Sequence, residues 1–119
     1  MGAISQKSAE FFVRSRLADA ERGDVDALFE LGITYSTGRG GIMVDLVEAH
    51  KWFNLAALSG CTRGQQCRAE ISTEMTAREI AEAQRQARAW LGTQQRWAAY
   101  RRLILPVAQR WGGGSFGRS

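Results

Sequence analysis

His50 is the only histidine of the chain, and Cys61 and Cys67 are its only cysteines. These three are the side chains best able to serve as base, nucleophile or metal ligand. A nucleophilic site needs a Ser or Cys, a base and an orienting acid that work as a unit, and the sequence offers His50 no evident partner. A structural zinc site needs four ligands in paired spacing. One histidine with two cysteines six residues apart has neither the number nor the pairing. That spacing puts the thiols on different faces of a helix, which disfavours a disulfide within it and reads as free thiols in a reducing compartment. Glu70, Glu74, Glu79 and Glu82 could pair for acid–base work, but on amphipathic helices they read as the wet face. The loop from Gly38 to Gly41 invites comparison with a phosphate cradle. It lacks the Lys-Ser/Thr of a P-loop and follows no strand. The residues therefore predict a protein that is not an enzyme and that uses no cofactor and no metal.

The elements that carry these residues are helical. A single proline, Pro106, and a content rich in Ala, Glu, Gln, Arg and Leu favour helix along the chain. With 119 residues, 45% hydrophobic and 24% charged, one domain with a real core is the expectation. A first helix is predicted over 7–22, its apolar side built from Phe11 or Phe12 with Leu17 and Ala20, and ended by Gly23. Asp24 is a favourable N-cap for a second helix, along which Ala27, Leu28, Leu31 and Tyr35 form an apolar stripe. Gly32 in its interior costs about 1 kcal/mol relative to Ala, which argues that a neighbouring helix approaches closely there. A turn over 37–41 follows. Asp45 with Glu48 then opens a third helix to Leu58 as a capping box, with Ala49, Trp52, Phe53, Ala56 and Ala57 inward and Gly60 at its end. Thr76 with Glu79 opens a further helix, striped by Ile80, Ala83, Ala87 and Trp90. Beyond it, 93–111 reads as a basic amphipathic helix that Pro106 breaks or kinks, and 112–119 as a flexible tail.

From Gly23 to Gly60 the pattern is a helix–turn–helix unit bounded by glycine, with a period of 37 residues that suits stacked repeats. The residues Gly23, Ala27, Leu31, Gly32, Tyr35, Gly38, Gly40, Asp45, Ala49, Trp52, Ala56, Ala57 and Gly60 resemble a Sel-1-like repeat, a relative of the tetratricopeptide repeat. The preceding helix resembles a worn half-repeat, and 76–92 resembles a capping helix. After Gly60 the pattern weakens: Gly64 stands where the repeat has its first Ala, and Arg68 where it has Leu. The resemblance implies an all-α, tetratricopeptide-like superhelix (an α-solenoid) of about five or six helices, with a repeat domain over 1–92. It also implies adaptor or scaffold duty through binding another protein.

In such arrays the first helix of each pair faces the partner. Leu28 and Tyr35 read as packing residues, whereas Glu30, Thr34 and Arg39 are candidate partner contacts because burial does not require them. The partner is another protein or a second copy of the chain. A second reading concerns the C-terminal segment. Residues 1–92 hold 11 Lys/Arg against 12 Asp/Glu, whereas 93–119 hold five arginines and no acid. Arg96, Arg101, Arg102 and Arg110, interleaved with Trp97, Tyr100 and Trp111, could meet nucleic acid by charge and stacking, or an acidic membrane as a basic amphipathic helix. The competing expectation is that Trp97, Tyr100 and Ile104 cover the open end of a short array. The N-terminus has no apolar run of signal-peptide length, and no stretch approaches a membrane span. A cytoplasmic location is the expectation.

Overall fold

Two aspartates and three glycines set the limits of the central elements. In the computed structural model, which describes the backbone of residues 2–116 and the side chains of 7–96, 98–100, 102 and 103, the described residues form five α-helices and one 3-10 turn, with no strand among them. They are α1 (Gly2–Glu21), α2 (Val25–Thr37), the 3-10 turn Arg39–Gly41, α3 (Leu46–Leu58), α4 (Thr62–Ser72) and α5 (Ala77–Phe116). The chain divides into two compact units, Met1–Ala87 and Arg88–Ser119.

Asp24 caps α2 by accepting the Ala27 amide, and Asp45 caps α3 by accepting that of Glu48. The Asp45 amide donates to the Tyr35 carbonyl, which ties the start of α3 to the end of α2. The capping box at Asp45 is therefore half of the expected pair. Glu48 turns its carboxylate to Lys51 and to the Trp52 indole instead. At Thr76 both halves form: its amide donates to Glu79 Oε1 and its Oγ1 accepts from the Glu79 amide.

Gly23 and Gly60 do the same work at two helix ends. Each has a left-handed φ (+94° and +99°). Around each, the following amide reaches back five residues while the glycine amide reaches back three. That is the Schellman arrangement, which satisfies otherwise orphaned carbonyls and needs a residue without Cβ.

Within the first unit each helix packs mainly on the next: α1 on α2, α2 on α3, α3 on α4. Ala27, Leu31, Ala49, Phe53, Leu55 and Ala56 are buried between them. Trp52 is 3% exposed and keeps its N–H satisfied by Glu48. Gly32 has no room for a side chain, since a Cβ there would lie 2.4 Å from the Phe53 ring. Gly64 is buried likewise, where a Cβ would meet Ala56 and the Phe53 carbonyl at 3.0 and 3.1 Å. The departure from the repeat pattern at Gly64 thus sits where α4 packs tightly against α3.

Three expectations are revised. Helix α1 begins at Gly2 and not near residue 7, because Ala3, Ile4 and Gln6 offer no break. Of the two phenylalanines offered for its apolar side, Phe12 is the half-buried one and Phe11 is exposed; Leu17 is half-buried and Ala20 buried, with Ala9 and Val13 buried beside them. No helix boundary falls at Thr93, and of the two effects expected of Pro106 the break is absent, since α5 is one helix from Ala77 to Phe116. It extends into the segment expected to be flexible. A proline forfeits one amide donor, but a helix already nucleated gains a bond for each residue it adds, and the helix formers around Pro106 carry it across.

Candidate functional site

Position 26, 29, 30 and 33 of α2 lie at intervals of three and one, so they share the helix side opposite Ala27, Leu28 and Leu31. Asp26, Phe29, Glu30 and Ile33 line a groove of about 380 Å³, together with Arg39 of the 3-10 turn and Arg63 of the first turn of α4. Phe29 is its aromatic wall. Its ring packs on that of Phe53 with centroids 5.7 Å apart, and the Arg63 guanidinium lies 4.7 Å above it. Arg16 of α1 donates to Glu30 Oε1 at 3.0 Å and is also paired with Asp19. The hydrogen bond to Glu30 is the largest reason why the Arg16 guanidinium holds its proton more tightly than usual. The groove therefore has an apolar centre with two carboxylates and two guanidinium groups around it. It can hold an apolar anchor flanked by charge, and its volume falls within the range of small ligand sites.

Of the three predicted partner contacts, Glu30 and Arg39 line this groove. Thr34 is the correction. It is 0% exposed, with Oγ1 donating to the Glu30 carbonyl one turn back. A threonine can enter a core in this way because the backbone satisfies its hydroxyl. Leu28 is buried and Tyr35 half-buried. Burial first, then Glu48 and Asp45, push the Tyr35 phenol up in pKa. Tyr35 lines a smaller groove with Glu10, Val13, Arg14, Leu17 and Ile42. Sequence reading missed Asp26, Phe29, Ile33 and Arg63. The first three carry a legible signal, the repeated three-and-four spacing with Glu30. Arg63 carries none, because only packing brings α4 to α2.

The residues first considered for chemistry are placed as follows. His50 is buried, 2% exposed, with no hydrogen-bond partner at Nδ1. Burial, then the Arg68 charge, lower its pKa. Cys61 caps α4, its Sγ accepting from the Gly64 amide at 3.3 Å. Burial, reinforced by Glu70, pushes the Cys67 thiol up and keeps it protonated. Both cysteines are free. Glu70, Glu74 and Glu79 are exposed. Glu82 accepts from Arg85 and Gln86, which hold its carboxyl down at about 2. Among the described residues no group of three or more His, Cys, Asp or Glu side chains could hold a metal ion.

In the second unit, Arg96 and Arg102 are exposed, and Tyr100 is 52% exposed. The side chains of Trp97, Arg101, Arg110 and Trp111 lie outside the described residues. Set against known proteins, the chain matches no family model, no curated protein and no solved structure.

Proposed function

We propose that the chain is a Sel-1-like, tetratricopeptide-type repeat module, arranged as a short solenoid, that binds a segment of another protein along α2 and catalyses no reaction. The observation that carries this reading is the groove over Asp26, Phe29, Glu30, Ile33, Arg39 and Arg63. It lies on the first helix of the glycine-bounded pair, where stacked helix pairs present their binding side. Support for the repeat comes from the successive packing of α1 to α4, from Ala27, Ala49 and Ala56 at the contacts, and from the matched glycine ends. Free thiols at Cys61 and Cys67 fit a cytoplasmic setting.

A random-peptide display library panned against the full chain tests the reading. Peptides with an apolar anchor between charged residues should be enriched. Their binding should fall at least about tenfold, equivalent to about 1.4 kcal/mol, in an Arg39→Glu/Arg63→Glu variant with unchanged circular dichroism. No enrichment, or enriched peptides indifferent to the double substitution, overturns it.

A further inference from the structure

The groove gives no role to the second unit, whose composition differs sharply from the first. Met1–Ala87 holds ten Lys/Arg against twelve Asp/Glu, whereas Arg88–Ser119 holds six arginines and no acid. The last acid of the chain, Glu82, stands a few residues before the structural boundary. The helix in this unit is unbroken to Phe116. Positions 97, 100, 104, 107 and 111 (Trp, Tyr, Ile, Val, Trp) therefore recur at three and four residues along one continuous face. Arg96, Arg101 and Arg110 fall at register positions on either flank of that stripe. Leu103 is 73% exposed and Tyr100 52% exposed. An exposed aliphatic beside an exposed aromatic on an acid-free helix calls for an occupant that is both anionic and apolar.

We propose that the C-terminal part of α5, about residues 94–111, lies flat on an anionic lipid bilayer. The Trp97–Trp111 stripe sits at the headgroup boundary, and the arginines meet lipid phosphates. Such a helix spans roughly 27 Å along the surface. Trp and Tyr are the residues that favour the membrane interface, and a basic flank adds attraction to acidic lipid. Insertion across the bilayer is not the mode, since among the described residues no helix is long and apolar enough to cross a membrane. A nucleic acid would reward the arginines and stack on the aromatic rings. It offers nothing to the aliphatic positions 103, 104 and 107 on or beside the stripe, which decides between the two.

The test uses the full chain with vesicles of phosphatidylcholine alone or mixed with phosphatidylglycerol, read by flotation and by tryptophan emission. Binding is expected only to the mixed vesicles, with a blue shift. Each arginine near the surface is worth roughly a fivefold change in partitioning. Arg96→Gln/Arg101→Gln, at the two flanks of the stripe, should therefore weaken binding about 25-fold, and Leu103→Gln should reduce the blue shift. Arg96 and Leu103 are exposed and glutamine is a good helix former, so circular dichroism should be unchanged. Absence of flotation with the mixed vesicles overturns the proposal, as does equal binding to neutral ones. Tighter binding to a single-stranded oligonucleotide, unaffected by Leu103→Gln, overturns it in favour of nucleic acid. Concentration-dependent dimers that replace vesicle binding and vanish in the double-arginine variant overturn it in favour of a second copy.

Discussion

His50 shows how a residue suited to chemistry can be used for packing. The helix α3 turns it inward and leaves Nδ1 without a partner. Arg68 of α4 faces it and donates to Asn54 Oδ1, so a second positive charge at His50 would be opposed by burial and by that guanidinium. The folded-state pKa is thus below the ordinary 6.5. Below that ordinary value the unfolded chain takes up a proton that the folded chain resists, so stability is full above it and falls as the pH falls toward the folded-state value. Urea titrations at about pH 7.5 and 5.5, chosen to stay above the carboxylate range, should show lower stability at the acidic end. His50→Gln should flatten that slope. An unchanged slope in the variant would show that the dependence comes from another group.

The contact of α2 with α3 is decided by the absence of one atom. A Cβ at position 32 would lie 2.4 and 2.5 Å from two carbons of the Phe53 ring, and that ring is fully buried and cannot swing away. Gly32→Ala gains about 1 kcal/mol in helix propensity and loses about 1–3 kcal/mol to overpacking. Overpacking wins because the obstacle is a rigid ring and not the end of a flexible chain. The expected outcome is net destabilisation on denaturant titration, recovered in part by adding Phe53→Leu. A Gly32→Ala chain as stable as the parent would show that the two helices stand further apart. The same logic is legible in the sequence, since a helix tolerates an interior glycine chiefly where something presses on it. Thr34, two residues on, was not legible, because a threonine reads as polar until its hydroxyl is seen bonded to Glu30.

At the scale of the whole molecule, a boundary near Ala87 separates a mixed-charge unit from an arginine-only one. The first unit holds the buried residues from Ala9 to Ala87, and a unit with a core of its own can fold alone. A chain ending at Ala87 should therefore retain its helical circular dichroism and unfold in one cooperative transition. It should also keep the peptide selection of the α2 groove and lose flotation with anionic vesicles. A truncated chain without cooperative unfolding would show that the core depends on residues beyond 87.

The order of residues by itself determined the all-helical class, the limits of α2 and α3, the glycine ends, the inward Ala27, Ala49 and Ala56 (Ala57, expected with them, is half-buried) and the charge asymmetry. All of these follow from interactions within a few positions of one another: caps, helix periodicity, left-handed turns and composition. Only the tertiary structure decided which polar residues face water. Glu30 stands beside Arg39 and Arg63 while Thr34 and His50 are enclosed, because burial is set by what packs across from a residue and not by its neighbours in the chain. The continuity of α5 through Pro106 belongs with these, since the cost of one proline is local whereas the helix that absorbs it is forty residues long.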